Sequence, residues 1–147
     1  MSSPELIELS SEEELRSALP LMRELRPHLT EERYMHLLEE MVADGYRMFA
    51  LRIAGRPVAL AGTRVASNLY YGRYLWVYDL VTTDSQRSRG HGRTLLEHLE
   101  ELARADGCEM LALSSGLQRA DAHRFYEQRM GYKRLSFVFG KSLSADG

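Results

Sequence analysis

The chain has 147 residues and a formal net charge of −2, from 19 basic and 21 acidic residues. This length fits one domain, and a hydrophobic share of 44% is typical of globular proteins, which excludes disordered and fibrous classes. A single cysteine excludes an internal disulfide framework, and no apolar run approaches the roughly 20 residues of a membrane span. The N-terminus lacks the basic and apolar regions of a signal peptide. We therefore expect a single domain over residues 1–147, cytoplasmic and without a membrane partner.

The charge is distributed unevenly. Residues 1–45 carry eleven acidic residues and four arginines, whereas residues 46–147 carry fifteen basic and ten acidic residues. The positive excess is concentrated around residues 87–93 and 119–134. Such clusters are either solvated surface or a site for a phosphate-bearing ligand. The acidic first third argues against a nucleic-acid partner.

The first 45 residues predict one strand and two helices. Ser10 and Ser11 each precede a glutamate by three residues, the capping-box spacing of a helix start, and Pro20 marks a kink or break in that helix. Thr30 is suited to cap a second helix, which ends at Asp44-Gly45. The apolar residues of the strand are Leu6, Ile7 and Leu9.

Short runs of β-branched and aromatic residues dominate the following segment and predict strands. Two helices with one apolar face interrupt them, the first around Leu95–Ala103 and the second from Asp121 to Gly131. The order β-α-α-β-β-β-α-β-α-β predicts a mixed sheet with helices on its faces. The predicted strands of this part are Tyr46–Ile53, Pro57–Tyr70, Tyr74–Thr82, Cys108–Leu113 and Tyr132–Leu143.

The segment that joins strand 74–82 to the next helix is rich in arginine and glycine. Gly90 and Gly92 have no Cβ and let the backbone approach a ligand closely. A helix N-terminus offers unpaired N–H groups to an anion, and Arg87, Arg89 and Arg93 add positive charge there. A pyrophosphate would use all three features, whereas the alternative is a solvent-exposed, arginine-rich turn.

Two motifs resemble those of the GNAT acetyltransferase superfamily. The run 87–92, Arg-Ser-Arg-Gly-His-Gly, is similar to its Arg/Gln-x-x-Gly-x-Gly/Ala signature, and the run 122–132 resembles its second motif, a helix with a Phe-Tyr-Glu core. The resemblance covers nearly the whole chain. It implies an α/β (α+β) fold with a mixed, mostly antiparallel twisted sheet of six to seven strands and about four helices. It also implies acetyl-CoA as cofactor and acetyl transfer to an amine.

The resemblance further implies which residues bind coenzyme A. The pantetheine arm would pair with the backbone near the end of strand 74–82, and the pyrophosphate with N–H groups of the following loop. Arg119 stands where the family often has an asparagine that contacts the cofactor, and an arginine can reach a phosphate instead. The side chain of His91 is expected to face solvent. The implied cofactor-binding residues are Leu80, Val81, Thr82, Arg87, Ser88, Arg89, Gly90, His91, Gly92, Arg93, Thr94, Arg119 and Ala122.

Two residues are candidates for proton transfer. Tyr126 matches the family's general-acid tyrosine, although periodicity alone favours a core residue beside Phe125. Asp79 interrupts an apolar strand, where a carboxylate is costly unless it is paired or lies at a cavity wall. It is the candidate base for an amine whose pKa is about 10.4 if it resembles lysine. The alternative is a strand aspartate bonded to a neighbouring arginine or to backbone.

The acceptor amine is not specified by the sequence. The Glu-rich first helices suit a cationic amine, such as a polyamine or a lysine side chain, and a small molecule or a protein remains possible. A noncatalytic acyl-CoA-binding regulatory module is the alternative function, and a homodimer is an open option. The histidines lack paired metal-ligand spacing, so no metal is predicted. Cys108 is interpreted as a small packed residue rather than a nucleophile.

Overall fold

The computed structural model describes residues 3–144. The chain divides into two compact units, Met1–Leu113 and Ser114–Gly147. A 3₁₀ turn, Asp84–Gln86, follows the fourth strand, and a π-helical turn, Phe125–Arg129, continues the last helix. The strands are β1 (Glu5–Leu9), β2 (Arg47–Ile53), β3 (Arg56–Asn68), β4 (Gly72–Thr82) and β5 (Met110–Leu113), and the helices are α1 (Glu12–Ser17), α2 (Leu19–Leu25), α3 (Glu31–Ala43), α4 (His91–Ala105) and α5 (Ala120–Arg124).

Local signals set the starts of the first helices. Ser11 caps α1: its hydroxyl accepts from the Glu14 N–H at 3.1 Å, and the Glu14 carboxylate accepts from the Ser11 N–H at 3.0 Å. This confirms the predicted capping box. Thr30 caps α3 as predicted, accepting from the Arg33 N–H at 3.1 Å. Pro20 lies in the first turn of α2, so the expected first helix is split in two.

The larger unit is a five-stranded sheet, in the order β1-β2-β3-β4-β5, with helices on both faces. All neighbouring strands are antiparallel except β4 and β5, which are parallel and connected through α4. One face of the sheet is covered by α4, where the Phe49 ring of β2 contacts the His98 ring of α4. The other face packs against α1, α2 and α3. Its core residues are Leu9, Met48, Ala50, Leu60 and Val81.

Over residues 3–144 the structure has one sheet of five strands rather than the expected six to seven, and five α-helices rather than about four. The sequence predicts a strand over residues 132–143, but these residues adopt no regular secondary structure. Phe137 and Phe139 are exposed there. A strand requires backbone hydrogen bonds to a neighbour, and within residues 3–144 no strand pairs with this segment.

A β-bulge in β4 changes which face its side chains occupy. Gly62 of β3 lies opposite Asp79, whereas the next residue, Thr63, lies opposite Val77, so Tyr78 is the extra residue. Before the bulge, Val77 is buried on the α4 face. After it, Asp79 lies on the face covered by α1, α2 and α3. The bulge therefore places a carboxylate beside these helices.

Gly62 leaves space for a buried tyrosine next to this carboxylate. A Cβ at Gly62 would lie 1.9 Å from the hydroxyl oxygen and 2.6 Å from Cζ of Tyr46. Tyr46 is only 4% exposed, so its ring has little freedom to move aside. The glycine thus allows a large side chain to lie across β3.

We expect Gly62→Ala to lower the free energy of unfolding by about 1–3 kcal/mol, because overpacking forces the Tyr46 ring or the strand to shift. Chemical denaturation measures this loss. The double variant Gly62→Ala/Tyr46→Phe should recover part of it, since the closest clash is with the hydroxyl. Gly140→Ala is the control, because a Cβ there meets nothing within 4 Å. Unchanged stability in Gly62→Ala would contradict the expectation.

Candidate active site

The end of β4 extends beyond β5. Pairing between the two strands begins at Tyr74 with Met110 and ends at Val77 with Leu113, whereas β4 continues to Thr82. Within the sheet, residues 78–82 therefore have a neighbouring strand only on the β3 side. The larger unit thus presents an edge of β4 backbone that can pair with an extended ligand.

Hydrogen bonds indicate which backbone groups lie on this edge. The N–H of Thr83 donates to the Val58 carbonyl of β3 at 2.9 Å. Because successive residues of a strand direct their backbone groups to opposite sides, those of Thr82 and Leu80 point away from β3, and those of Val81 point toward it. The Thr82 carbonyl indeed accepts from the side chain of Arg87 at 3.4 Å. Two of the three predicted strand positions therefore present backbone groups at the open edge.

The loop before α4 presents a row of unused N–H groups. Ser88 has φ +64° and Gly90 has φ +83°, so two left-handed residues curve the backbone just before the helix. Alternating conformations of this kind form a concave anion site, and α4 adds the positive end of its dipole. In the described part of the chain, no recorded hydrogen bond uses the backbone N–H of Ser88, Arg89, Gly90, His91, Gly92 or Arg93.

The arginines of the loop lie around these N–H groups. Arg87 forms an ion pair with Asp84 at 2.9 Å, and Arg93 lies 3.6 Å from Glu97. Arg89 is exposed. Surface pairs of this kind are weak and can be exchanged for a phosphate.

His91 and Thr94 have structural contacts in the loop. His91 was expected to face solvent, but it is 7% exposed and its Nε2 lies 3.3 Å from Oε1 of Gln86. The ring is therefore packed within the loop region, at hydrogen-bond distance from Gln86. The Thr94 hydroxyl donates to the Gly90 carbonyl at 3.0 Å. Both side chains support the loop conformation.

Asp79 is the most buried carboxylate of this region. Its Oδ1 accepts from Nε of Arg26 at 3.1 Å and lies 3.0 Å from Nη2 of the same side chain. Arg26 follows α2, so 53 residues separate the partners. Burial raises the pKa of Asp79, and the Arg26 guanidinium partly opposes this by stabilising the carboxylate. Among the described residues, no recorded hydrogen bond involves Oδ2 of Asp79, which is left to exchange a proton.

Two buried tyrosines lie near Asp79. Burial, and secondarily the Asp79 charge, raise the pKa values of both Tyr34 and Tyr46. The Tyr34 hydroxyl donates to the Leu15 carbonyl at 2.7 Å, whereas the Tyr46 ring lies 5.7 Å from that of Tyr78. Both phenols therefore stay protonated at neutral pH, and neither is a base there.

In the smaller unit, Tyr126 lies at the junction of α5 and the π-helical turn. The turn is closed by the Met130 N–H, which donates to the Phe125 carbonyl at 3.1 Å. Tyr126 is buried, and its ring packs between those of Phe125 and Tyr132. Burial raises the pKa of Tyr126, and the Arg119 charge partly opposes this. The phenol is thus protonated at neutral pH, next to a cation that would stabilise its anion.

A comparison with known protein families identifies the family of this chain. The model of the acetyltransferase (GNAT) family matches residues 9–132. The chain belongs to this family. It is a family of acyltransferases whose acyl donor is acetyl-CoA, as the sequence motifs implied.

Relatives and solved structures agree with this membership. The uncharacterized N-acetyltransferase YhdJ of Bacillus subtilis is 42% identical to this chain, over 92% of this chain and 96% of YhdJ. The chain is 37% identical to the aminoalkylphosphonate N-acetyltransferase of Salmonella typhimurium, over 67% of this chain and 62% of the relative. The fold is similar to that of aminoglycoside N-acetyltransferase AAC(6')-Iy in complex with CoA, with a TM-score of 0.85 at 15% identity, covering 98% of this chain and 97% of that one.

The residues present fit acetyl-CoA. A pyrophosphate requires hydrogen-bond donors and positive charge, and six consecutive unused N–H groups lie at the positive end of α4. A Cβ on Gly90 would meet nothing within 4 Å, so the space beside this residue is open. The carbonyl and amide groups of pantetheine match the edge-facing backbone of Leu80 and Thr82, where a ligand would replace the contact of the Thr82 carbonyl with Arg87. The predicted positions Arg119 and Ala122 belong to the smaller unit, at the start of α5.

Three residues of the site were not found from the sequence. Arg26, Tyr46 and Gly62 surround Asp79, yet none belongs to a motif. The only available signal was a glycine inside a long strand, which indicates a close approach of another group. Their meeting depends on how α2 and β2 pack on the sheet.

Among residues 3–144, no three His, Cys, Asp or Glu side chains are arranged to hold a metal ion. Over the same residues, no helix has the length and apolar composition required to cross a membrane. Burial raises the pKa of the Cys108 thiol, which lowers its thiolate fraction at neutral pH.

We expect Gly90→Ala to weaken CoA binding about tenfold, because a φ of +83° costs an L-residue roughly 1–2 kcal/mol and the loop would relax away from its concave form. Isothermal titration with CoA measures the effect. Gly107→Ala is the matched control: Gly107 ends the same helix with φ +75°, and its Cβ also meets nothing within 4 Å. Equal CoA affinity in the two variants would contradict a role for the loop conformation.

Proposed function

We propose that this chain transfers the acetyl group of acetyl-CoA to a primary amine by direct attack of the amine on the thioester. The observation that carries the proposal is the row of unused N–H groups before α4, next to the open edge of β4. The relatives named as N-acetyltransferases, one of them for aminoalkylphosphonates, support a small-molecule amine as acceptor.

Bound acetyl-CoA supplies an acetyl group activated as a thioester. The backbone of Leu80 and Thr82 orients the pantetheine arm, and the loop 87–94 holds the pyrophosphate. The bulge at Tyr78 interrupts the β-ladder and frees backbone groups, of which an N–H can donate to the thioester oxygen as negative charge develops there.

Two side chains account for the protons. Asp79 accepts one from the acceptor ammonium through Oδ2, while Arg26 remains bonded to Oδ1. A raised pKa makes this carboxylate a better base than an exposed aspartate. Tyr126 donates its phenolic proton to the leaving sulfur, and Arg119 stabilises the resulting phenolate. Nitrogen loses two protons in all: Asp79 takes the first before the attack, and the second leaves to solvent as the tetrahedral intermediate collapses to the amide. One proton is delivered to sulfur, and Asp79 and Tyr126 return to their starting states by proton exchange with solvent.

Both compact units are proposed to belong to one acetyltransferase domain. The family match runs from residue 9 to residue 132 and so crosses the boundary between Leu113 and Ser114 without interruption. Each unit holds one of the two proposed proton-transfer residues.

We expect Asp79→Asn to lower kcat at least 100-fold, because the acceptor ammonium loses its base, while the Kd for CoA changes less than twofold. Release of free CoA thiol measures turnover. The melting temperature at pH 7 should not fall, since the substitution removes a desolvated charge. Loss of CoA binding, or unchanged turnover, would exclude this role. A chain that binds acetyl-CoA but acetylates no amine would instead support the noncatalytic module.

The pH profile provides a second test of the same base. Activity requires the carboxylate, so kcat falls as the pH drops through the raised pKa of Asp79. Arg26→Gln removes the cation that stabilises the carboxylate, so the pKa of Asp79 rises and this acidic limb moves to higher pH. Arg33→Gln, on the exposed surface of α3, serves as control. Superimposable profiles of the three proteins would exclude Asp79 as the titrating group.

We expect Tyr126→Phe to reduce kcat about 100-fold or more, with little change in the KM for acetyl-CoA, because only the proton donor is removed. The alkaline limb of the pH profile should disappear with it, since deprotonation of the phenol no longer matters. Tyr70→Phe, at an exposed tyrosine, is the control. A variant that keeps both its rate and its alkaline limb would show that Tyr126 is a packing residue.

A further inference from the structure

A pocket on the sheet has no part in the proton transfers described above. It has a volume of about 240 Å³ and lies over the first half of β4 and the facing part of β3. Its volume is below the roughly 300–1,000 Å³ of drug-sized ligand sites, so it suits a molecule of few heavy atoms. The residues that line it are Arg64, Ala66, Tyr74, Trp76 and Tyr78.

The pocket adjoins the proposed base. Gly62 lies opposite Asp79, and Arg64, two residues farther along β3, lies opposite Trp76. Residues two apart on a strand share a face and are about 7 Å apart, so Arg64 lies on the face that carries Asp79. Tyr78 lines the pocket, and its ring lies 5.7 Å from that of Tyr46 beside Asp79. An amine at Asp79 therefore has the rest of its molecule directed into this pocket.

Arg64 is the charged residue of the pocket, and the Nε of its guanidinium is unsatisfied. This Nε is buried without a hydrogen-bond partner, and within residues 3–144 Arg64 forms no ion pair. Arg47 and Arg52 of the sheet do form ion pairs, with Glu8 at 2.7 Å and with Glu5 at 2.8 Å, although Nε of Arg52 is also buried without a partner. A buried donor without a partner is costly, and a guanidinium is satisfied best by two oxygens of a carboxylate, phosphate or phosphonate. Arg64 thus lacks an anion.

The aromatic residues suit the part of the ligand between its two charged ends. Tyr74, Trp76 and Tyr78 place three rings on one side of the pocket, and Ala66 leaves room opposite Tyr74. Aromatic walls pack against a short carbon chain and exclude water, which strengthens the interaction of Arg64 with an anion. The pocket therefore combines an apolar middle with a cationic end.

More than half of the acidic residues that suggested a cationic acceptor have other partners. Glu24 accepts from the Thr83 hydroxyl at 2.6 Å and from the Asp84 N–H at 3.1 Å. Glu14 caps α1. These contacts account for a large part of the acidic charge without a cationic ligand. The others that lie within ion-pair distance of an arginine are Glu5, Glu8, Glu12 and Glu31.

We propose that the acceptor is a small primary amine that also carries an anionic group, a carboxylate or a phosphonate, which Arg64 binds while the amine lies at Asp79. The proposal rests on the proposed acetyltransferase function and names its substrate class. Arg64 is then a specificity-determining residue that contacts the acceptor and not the cofactor.

The test compares amines that differ only in the anionic group. The substrates assayed are glycine, β-alanine, 4-aminobutyrate, aminomethylphosphonate and 2-aminoethylphosphonate. Each carboxylate is compared with its amide, and each phosphonate is compared with its diethyl ester. We expect kcat/KM to be at least tenfold higher for the acid in the best pair, and the two acid series separate carboxylate from phosphonate. Arg64→Gln should abolish this preference by raising the KM for the acid, while kcat/KM for the neutral amine stays unchanged. Arg64→Lys should restore part of it, and Arg56→Gln at the exposed β2–β3 turn should resemble the wild type.

Two kinetic outcomes overturn the proposal. One is equal kcat/KM for acid and neutral amine in the wild type, and the other is an equal loss for both in Arg64→Gln. If CoA binds but no amine is acetylated, the proposed acetyltransferase function fails. The proposal about Arg64 and the acceptor is then tested separately, by measuring acceptor binding. With CoA present, the best acid should then raise the melting temperature of the wild type and not that of Arg64→Gln. No shift with any acid in either protein would overturn it.

Discussion

The one-residue bulge at Tyr78 is the constraint on which the site depends. Without it, Asp79 would share the face of Val77 and lie under α4, since side chains alternate along a strand. With it, Val77 packs beneath α4 while Asp79 and Val81, two and four residues later, lie on the face of α1, α2 and α3. The bulge coincides with the end of pairing to β5 at Val77, so one irregularity both turns the carboxylate and opens the edge of β4.

Burial of Asp79 is tolerated because three other residues are arranged around it. Desolvation disfavours the carboxylate, and Arg26 offsets part of that effect from a half-exposed position. Gly62 gives Tyr46 the space to lie beside it. The outcome is a carboxylate with one oxygen paired and one open, in surroundings that raise its pKa. This balance suits a group that must both bind and release a proton.

We propose that the two ends of β4 serve different ligands. Its C-terminal end continues into the loop of unused N–H groups, which would recognise an anion through backbone donors rather than side chains. Its N-terminal half carries the aromatic pocket and faces Arg64. Asp79 lies between them. The uneven charge of the chain agrees only in part with this arrangement, because the basic half carries the proposed cofactor loop, while the acidic residues of the first third are mostly bonded within the protein.

The chain sequence alone specified the features that depend on neighbouring residues. The capping of α1 by Ser11 and Glu14, the start of α3 at Thr30 and the left-handed Gly90 before α4 follow from local hydrogen bonding and backbone sterics. The family motifs are of the same kind, since loop 87–92 and helix 120–129 are each continuous in sequence.

Features that depend on distant partners appeared only in the folded chain. Residues 132–143 have the alternation of a strand, but a strand exists only where another supplies hydrogen bonds. His91 was expected to face solvent, but its side chain is buried, because its exposure depends on what α4 packs against. The pairing of Asp79 with Arg26, the space at Gly62 for Tyr46 and the unpaired Arg64 all follow from strand register and helix packing. Local sequence therefore specified the elements and the phosphate loop, and long-range packing specified the chemistry around the acceptor.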